Sequence, residues 1–537
     1  MSTHRVHARA PRGVPVALER VTDAATLALH CEDAAHVPGG HAAELAAPRS
    51  EREVADLLRS SQRVLTIGAQ SSLTGGATPR GETLLSTSRL RSLEVLDEGH
   101  VRVAAGLTVA QLDLALRARG LHYPPGPTWQ GATLGGTIAT NAAGAATFKY
   151  GTTRAWVDAL TVVLASGDVL DLRRGETRTH PDGYFELVLE RGTVQVPIPR
   201  YRLPDVPKVS AGYYAAPGMD LVDLFIGSEG TLGVVTEATV RVNPRRPATC
   251  LVFATFRGRS AALACVRAIR EEAMAAWRGE PGADVSAIEH MDARSLQIVR
   301  EDGVDRALGV TLDPQAAMGL LVVVDLPPGT TTTDAYEALG GASRPGSPAA
   351  GLGRLARLLE TYGANDDVLI AAPGQAAEAE RLLALREAVP VGVNRRVGDA
   401  RRTIDPRIEK TAADTIVPFA HVEAMLDRYD RELRERGLDG AVWGHISDGN
   451  VHPNIIPASF ADVVSGREAV RAFGLEAIRL GGSPMAEHGV GRNPTKQQLL
   501  VDLYGHEAVA DMRRVKRALD PGGKLAPGVI FPAEDGA

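Results

Sequence analysis

Three glycine clusters, each adjoining a predicted strand, constrain this 537-residue chain more than any other feature of its sequence. They span residues 68–76, 133–144 and 226–233. The first follows a strand-like run at residues 64–67 and precedes a second extended run at residues 83–87, so it joins two strands. Glycine and small hydroxyl residues let several backbone N–H groups converge on one phosphate. The first cluster therefore predicts a phosphate-binding loop, although a tight glycine-rich turn explains it equally well when it is taken alone.

Two familiar phosphate-binding sequences are excluded for this loop. No Gly-Lys-[Ser/Thr] sequence ends it, so it is not a P-loop. The G-x-G-x-x-G pattern that opens a helix in dinucleotide-binding folds is also missing. If the loop binds a phosphate, it belongs to another kind of cofactor domain.

Charge and composition exclude several classes of protein. The 59 basic and 65 acidic residues give a net charge of −6, and aromatic residues make up 4% of the chain, which argues against a nucleic-acid binder. A hydrophobic content of 44% argues against a disordered chain. No run approaches the roughly 18 apolar residues of a membrane-spanning helix. Residues 1–16 lack the apolar segment of a secretory signal and are expected to form a disordered tail.

The cysteines indicate a reducing compartment. Cys31, Cys250 and Cys265 are far apart and form no Cys-x-x-Cys pair. Neither a disulfide framework nor a cysteine-bound zinc or iron–sulfur site is available. A cytoplasmic location is the expectation.

The chain is long enough for three or four domain-sized units at about 150 residues each. Up to about residue 248 the glycine clusters alternate with strands and short helices. Beyond it, apolar runs alternate with helical stretches, which predicts an α+β layer. We expect a tail at 1–44, one domain at 45–247, a second at 248–480 and a C-terminal segment at 481–537. The stretches 173–218 and 327–350 are predicted to be irregular, since they are rich in proline or in glycine and small polar residues.

A paired-histidine turn carries the strongest chemical signal of the second half. Asp448-Gly449 predicts a two-residue hairpin turn, which would set His445 opposite His452 with their Cβ atoms about 4.5–5.5 Å apart. Two imidazoles at that spacing can share one metal ion. The alternative is two histidines on a half-exposed hairpin without a ligand. A carboxylate for such an ion is available at Glu487, in a glycine-flanked turn at residues 483–491.

The glycine clusters together resemble the FAD-binding domain of the vanillyl-alcohol-oxidase-type flavoproteins. The resemblance rests on residues 66–76, 121–125, 134–141, 150–154 and 226–233. It implies an α+β fold with a two-subdomain FAD-binding domain, an α+β substrate (cap) domain and a C-terminal helical segment that returns to the flavin domain. The implied cofactor-binding residues are Gly68, Gln70, Ser71, Ser72, Thr74, Gly75, Gly135, Gly136, Asn141, Gly144, Glu229, Gly230 and Gly233. Gln70 stands where covalent members carry a histidine, which implies non-covalent FAD.

The second half resembles the metal-dependent D-2-hydroxy-acid dehydrogenases of the same superfamily. The matching sequences are Gly-His-Ile-Ser-Asp-Gly-Asn-Val-His-Pro-Asn at 444–454 and Glu-His-Gly at 487–489. The resemblance implies a divalent ion, Zn or Mn, on His445, His452 and Glu487. It also implies that His488 is the catalytic base, that Asn454 lies in the substrate site, and that Arg386 and Lys410 bind the substrate carboxylate.

The sequence departs from the family pattern at three places. Ser447 replaces a glycine, and Ala526 replaces an asparagine in the C-terminal segment. Pro390 stands where a polar substrate-binding residue is expected, which leaves the identity of the acid open. A nearby basic run (Arg395, Arg396, Arg401 and Arg402) is interpreted as a solvated loop in preference to a second anion site.

The resemblance implies FAD-dependent oxidation of a D-2-hydroxy acid to a 2-oxo acid. The expected partners are the small-molecule substrate and an electron acceptor of unknown identity, with a homodimer as one assembly to consider and no nucleic acid. Two alternatives stay open. One is an alkyl-dihydroxyacetone-phosphate-synthase-like flavoenzyme without net redox, although its run of consecutive histidines is absent. The other is a non-catalytic protein that has kept the fold.

Overall fold

The computed structural model describes residues 3–127, 129–341 and 346–533 of the chain. These residues form two compact units. Unit 1 comprises Met1–Gly144, Gly151–Pro244 and Ser483–Ala537, and unit 2 comprises Ala145–Tyr150 and Arg245–Gly482, within the described ranges. Both units combine helices with sheets, as the α+β prediction requires.

Unit 1 is built on three small sheets within its described residues. The strands of the first sheet are, in spatial order, Arg20–Val21, Glu44–Ala46, Thr83–Ser86 and Val64–Ile67. Those of the second are Leu93–Val95, His100–Ala104, Val234–Arg241, Val157–Val163 and Val169–Arg173. Those of the third are Arg5–His7, Tyr184–Leu189 and Gly192–Pro197. The first glycine cluster connects Val64–Ile67 to Thr83–Ser86, which pair in parallel. The prediction that this loop joins two strands is confirmed.

Six of the seven α-helices described in unit 1 begin at a polar cap, and His506–Leu519 begins at Gly505 instead. The seven helices span Ala24–Ala28, Glu51–Ser60, Val109–Arg117, Leu134–Ala139, Leu221–Phe225, Pro494–Tyr504 and His506–Leu519, with 3₁₀ turns at Thr87–Arg89 and Thr153–Trp156. Ser50 and Thr108 cap the second and third helices, and Gln111 completes a reciprocal capping box with Thr108. The second glycine cluster opens the fourth helix, which Thr133 caps.

Two predictions about irregular segments in unit 1 are wrong. Arg5–His7 is an edge strand parallel to Tyr184–Leu189, so this part of residues 1–16 is not a disordered tail, while residues 1–2 lie outside the described ranges. Within 173–218, Tyr184–Leu189 and Gly192–Pro197 form a hairpin, and the irregular parts are residues 174–183 and the residues that follow the hairpin. A three-residue strand has no readable period, and its partner lies far along the chain.

Unit 2 contains an eight-stranded sheet among its described residues. The strands are Leu369–Ala371, Ala248–Phe256, Met318–Leu326, Val285–Asp292, Gly440–His445, Asn450–Ile455 and Thr411–Ala412 in spatial order, with Thr415–Ile416 also paired to Asn450–Ile455. Alternate residues of its strands enter two different hydrophobic clusters, so both faces are covered. Cys250 lies in one cluster and Leu251 in the other, for example.

The helices of unit 2 divide between the two faces of this sheet. The unit contains Thr147–Tyr150, Arg259–Trp277, Ala293–Glu301, Val304–Ala307, Thr332–Leu339, Ala350–Thr361, Ala376–Thr403, Val422–Glu435 and Phe460–Arg479, with 3₁₀ turns at Phe419–His421 and Ile446–Asp448. Ala376–Thr403 and Ala293–Glu301 pack on the same face, through Leu385 and Leu296 among others. That face also carries the polar residues of the candidate site.

Two segments of unit 2 are more regular than predicted. The helix Ala376–Thr403 continues through Pro390, so the basic run lies on a helix and not on a loop. Arg396 pairs with Glu301 at 2.7 Å, and Arg395 pairs with Asp302, which leaves these cations to surface ion pairs. Within 327–350, Thr332–Leu339 is a helix with its own capping box, and residues 342–345 lie outside the described ranges. Across the described residues, none of the helices has the length and apolarity needed to cross a membrane.

Candidate active site

The loop after Val64–Ile67 in unit 1 presents a row of unengaged backbone amides. Among the described residues, the N–H groups of 70–73, 75 and 76 have no hydrogen-bond acceptor. Thr74 N–H has only the hydroxyl of Ser72, at 3.3 Å. Unengaged amides in a glycine-rich turn form a concavity for an anion. The donor set therefore fits the pyrophosphate of a dinucleotide cofactor.

The side chain of Gln70 maintains the shape of this loop. Its amide nitrogen donates to the carbonyls of His30 and Ala77, both at 2.9 Å, and its backbone adopts a φ of 52°. Positive φ is uncommon for a residue other than glycine and is often found at functional sites. Gln70 is thus engaged with protein atoms, while Ser71, which follows it, is exposed.

Most of the predicted cofactor glycines are required by close packing of the protein itself. A Cβ at Gly68, Gly135, Gly144 or Gly233 would approach other protein atoms to 2.3–2.7 Å. Gly75 and Gly230 instead adopt φ values of 72° each. Gly136 N–H donates to the cap Thr133, and Asn141 accepts from the Arg154 amide at 2.9 Å. These residues build the scaffold around the amide loop.

Glu229 fixes the segment that carries the second histidine motif. Its carboxylate accepts from the amides of Val490 and Gly491, at 2.8 Å each. Burial raises the pKa of Glu229 to about 7, partly offset by these two amides. The third glycine cluster and the turn at 483–491 are therefore joined within unit 1.

Lys208 and Ser210 hold the same turn from the irregular stretch after Gly192–Pro197. The ammonium of Lys208 lies 2.8 Å from Oε2 of Glu487, and both side chains are buried. The hydroxyl of Ser210 accepts from the Gly489 amide at 3.0 Å. His488 Nε2 lies 3.5 Å from Oε1 of Glu487, so these neighbouring side chains converge. An extended segment would direct them to opposite sides, and the turn at Gly489, where φ is 76°, accounts for the difference.

In unit 2, the two motif histidines come together, but not in the predicted register. Ile446–Asp448 form a 3₁₀ turn and Gly449 adopts a φ of 87°, so the connection is longer than two residues. His445 is consequently opposite Asn450, and His452 is two residues further along the same strand. The pair is diagonal across the hairpin, with ring centroids 5.5 Å apart and the rings nearly perpendicular. The two-residue turn prediction is wrong, while the two imidazoles are still neighbours.

Asp414 is a further carboxylate beside this pair. Its Oδ1 lies 3.6 Å from Nδ1 of His452 and also accepts from the side-chain amide of Asn450 at 3.3 Å. Two buried imidazoles and a carboxylate are donors that divalent transition ions accept. Asp414 and His452 belong to a group of potential ligand atoms within 4.8 Å of one another, and His445 is the neighbouring imidazole, so their donor chemistry fits a metal ion.

Arg386 and His445 both bind Glu289. Glu289 is directly opposite His445 in the sheet and accepts from its Nδ1. Arg386 reaches the same carboxylate from the helix Ala376–Thr403, with Nε at 2.8 Å and Nη2 at 2.7 Å. Burial alone would raise the pKa of Glu289, but His445 and Arg386 hold it well below its usual value. Arg386 is therefore already committed to a protein carboxylate and, through Nη1, to Glu387.

Lys410 and Asn454 both have unmet polar groups among the described residues of unit 2. Lys410 makes no hydrogen bond or ion pair with any described residue, and burial lowers its pKa to about 8. Oδ1 of Asn454 is buried and has no hydrogen-bond donor in the described part of the chain. The partly shielded ammonium of Lys410 and the buried Oδ1 of Asn454, both without partners among the described residues, fit an anionic ligand that carries a hydroxyl group.

Three residues that shape the site were not predicted from the sequence: Lys208, Glu289 and Asp414. Lys208 lies in a proline-rich stretch without periodicity, and Glu289 lies in a strand whose neighbours are equally buried. Asp414 lies four residues after Lys410, and only the lysine was singled out from this part of the sequence. A charged residue in the middle of a buried strand, as at Glu289, is the one signal that was available.

Two sequence families match the chain. The FAD binding domain matches residues 42–173, and the C-terminal domain of FAD linked oxidases matches residues 245–530. The chain is similar to a D-lactate dehydrogenase of Archaeoglobus fulgidus, with 27% identity over 90% of both chains. It is also similar to a D-2-hydroxyglutarate dehydrogenase of Xanthomonas citri pv. viticola, with 29% identity over 91% of this chain and 89% of the other.

A solved structure of alkyldihydroxyacetonephosphate synthase shares the fold. The TM-score is 0.60 at 16% sequence identity, over 95% of this chain and 82% of the other. At that identity the likeness concerns the fold alone, and it agrees with the predicted flavoprotein architecture.

Proposed function

This chain belongs to the FAD-linked oxidases, and we propose that it oxidises the hydroxyl-bearing carbon of a D-2-hydroxy acid to give a 2-oxo acid. Membership of the family makes it a flavoprotein oxidoreductase. The observation that carries the choice of substrate class is the half-buried, unpaired Lys410, which precedes the strand Thr411–Ala412 paired with Asn454 and its unmet acceptor oxygen. Relatives named for D-lactate and D-2-hydroxyglutarate support the same class.

FAD is proposed to bind non-covalently through the amides of 70–76. Bound FAD supplies the acceptor for the hydride that leaves C2 of the substrate. The protein supplies orientation and charge. Neither histidine nor cysteine occurs within 68–76 or 133–144, which supports a cofactor held without a covalent bond.

The residues of unit 2 are proposed to bind the acid. The ammonium of Lys410 contacts the substrate carboxylate, and Arg386 contributes those of its N–H groups that do not face Glu289 and Glu387. Asn454 accepts from the substrate hydroxyl. His488 is proposed as the base that removes the hydroxyl proton.

We further propose a divalent ion, Zn²⁺ or Mn²⁺, on His445, His452 and Glu487. Such an ion lowers the pKa of a bound hydroxyl group. Asp414 competes with Glu487 for the role of carboxylate ligand, because it lies beside His452. The division into a flavin domain at 45–247, a substrate domain at 248–480 and a returning segment at 481–537 is part of the same proposal.

Anaerobic reduction of the flavin tests the reaction. Purified holoprotein is mixed with a panel of D- and L-2-hydroxy acids without oxygen, and the visible absorption of the oxidised flavin is followed. We expect bleaching with at least one D acid and none with its L enantiomer. A flavin that stays oxidised with every acid would favour a reaction without net redox. An artificial acceptor then gives turnover numbers for the acid that bleaches fastest.

Metal removal tests the second part of the proposal. Chelation is expected to suppress turnover while FAD stays bound, and Zn²⁺ or Mn²⁺ should restore it. His445→Ala and His452→Ala should not be restored, whereas His421→Ala removes an exposed histidine of the same unit and should behave as the wild type. Glu487→Ala and Asp414→Ala, compared for bound ion per protein, identify the carboxylate ligand. Full activity of metal-free protein would exclude the ion.

A further inference from the structure

Glu289 places a carboxylate inside the sheet of unit 2. It belongs to the strand Val285–Asp292 and is 4% exposed. The flanking strands pair it with His445 on one side and with Leu321 on the other. A buried carboxylate is costly unless each oxygen has a donor. Its position therefore requires partners, and the identity of those partners is informative.

The two oxygens of Glu289 have different partners. Oε1 accepts from Nδ1 of His445. Oε2 accepts from Nε of Arg386 at 2.8 Å and lies 2.7 Å from its Nη2. One carboxylate thus joins an imidazole on the sheet to a guanidinium on the helix Ala376–Thr403. Both partners are residues to which the proposed function gives a task.

A hydrogen bond at one nitrogen of an imidazole decides which nitrogen is left to bind an ion. A carboxylate that accepts from Nδ1 keeps the proton there, so Nε2 retains its lone pair. Carboxylates in this position recur behind metal-binding histidines, where they orient the ring and increase its basicity. Glu289 has this relation to His445.

We propose that Glu289 is a positioning residue that prepares Nε2 of His445 for a divalent ion and, through its other oxygen, fixes Arg386 for the substrate carboxylate. The inference rests on the proposed function, because it takes His445 as an ion ligand and Arg386 as a substrate contact. It adds that ion binding and acid binding share one buried carboxylate.

A purely structural ion pair is the competing explanation. Such a pair would affect folding stability when broken, with equal consequences for every activity of the protein. A positioning role instead affects ion affinity at unchanged FAD content. Binding of the ion alone separates the two explanations, since it needs neither substrate nor turnover.

The test compares Glu289→Gln with the wild type and with Asp325→Asn. Asp325 is a matched control, because it is a buried carboxylate of the neighbouring strand that accepts from Lys149 and Tyr150. Each holoprotein is stripped of metal and titrated with Co²⁺, followed by visible absorption, and with Zn²⁺ by equilibrium dialysis. We expect about 10- to 100-fold weaker ion binding in Glu289→Gln. Asp325→Asn should bind as the wild type, with FAD retained in all three.

Two further variants complete the test. Glu289→Asp keeps the buried charge on a shorter side chain and should also weaken ion binding. It replaces Glu289→Gln in the titration if that variant does not fold. Arg386→Met leaves the contact between Glu289 and His445 in place. It should raise KM for the acid at nearly unchanged ion affinity.

The outcomes distinguish this inference from the function on which it rests. Wild-type ion affinity in the folded Glu289 variants would overturn the inference and leave the proposed metal site intact. Equally weakened ion binding in Asp325→Asn would also overturn it, because the loss of any buried carboxylate of the sheet would then reduce ion affinity. A wild-type protein that binds no ion would refute the metal site itself, and the inference with it.

Discussion

The ammonium of Lys208 lies 2.8 Å from a carboxylate oxygen of Glu487, and neither side chain is accessible to solvent to any useful extent. Lys208 comes from the irregular stretch that follows the hairpin at residues 184–197. Glu487 belongs to the turn that also carries His488. The stretch without regular structure therefore supplies the counter-charge for one of the proposed ion ligands.

Replacing Lys208 by methionine should destabilise unit 1 substantially. Removal of one partner of a buried ion pair costs about 3–5 kcal/mol, because the other charge loses its compensation. Denaturant unfolding measures the loss, and the double variant Lys208→Met, Glu487→Gln should recover part of it. Arg278→Met breaks an exposed pair with Glu280 and should change the free energy of unfolding by less than about 1 kcal/mol. Similar values for the two single variants would contradict the buried-pair explanation.

Substitution of Gly75 should abolish FAD retention. Gly75→Leu places a side chain beside the open amides, at a residue whose φ of 72° already disfavours it. The flavin content per protein, read from absorption after gel filtration, is expected to fall to background. Gly175→Leu introduces the same strain at an exposed turn with no neighbour within 4 Å and should keep its flavin. Acid precipitation of the wild type should release the flavin into solution, and flavin retained in the pellet would refute non-covalent binding.

The pH dependence of acid binding should report Lys410. Burial lowers the pKa of its ammonium to about 8, so the charge is present below that pH and lost as the pH rises through it. We expect kcat/KM to decrease above pH about 8 in the wild type. Lys410→Arg, which stays charged, should extend the plateau to higher pH. Lys410→Met should have low kcat/KM and lack this decrease, and the persistence of the same decrease would assign it to another group.

His488 and Glu487 should be separable by what each variant still binds. His488→Ala is expected to lose roughly 10²- to 10⁴-fold in turnover while it retains ion and FAD, since it removes a proton acceptor. Glu487→Ala should lose the ion. Metal and flavin contents of the purified variants, with turnover by an artificial acceptor, provide the comparison. Equal loss of ion in both variants would make His488 a ligand or a structural residue.

Local signals predicted the elements of unit 1 well where a cap or a glycine determines the geometry. The cluster at 68–76 joins two strands as expected, and Ser50 and Thr108, which are of the residue types preferred at helix N-termini, cap helices. Local signals could not predict pairing between strands that are far apart in the sequence, as between Arg5–His7 and Tyr184–Leu189. The charged residues Lys208 and Glu289 were missed for the same reason, because their ion-pair partners lie far away in the sequence.

The hairpin at His445 and His452 illustrates the limit of register arguments. The Asp448-Gly449 signal located the turn correctly, but the 3₁₀ turn adds two residues to the connection. The addition of two residues preserves the face on which each side chain lies, since side chains alternate with a period of two. The proximity of the imidazoles was therefore predictable even though their pairing was not.

Pro390 has a consequence for the helix Ala376–Thr403 that its place in the sequence already implies. A proline inside a helix offers no N–H to the carbonyl four residues before it, and here that carbonyl belongs to Arg386. The turn that presents the guanidinium is one main-chain hydrogen bond short. The position of the Arg386 guanidinium thus depends less on the helix backbone than on the ion pairs with Glu289 and Glu387. Substitution of Glu289 or Glu387 is therefore expected to displace the guanidinium while the helix itself stays intact.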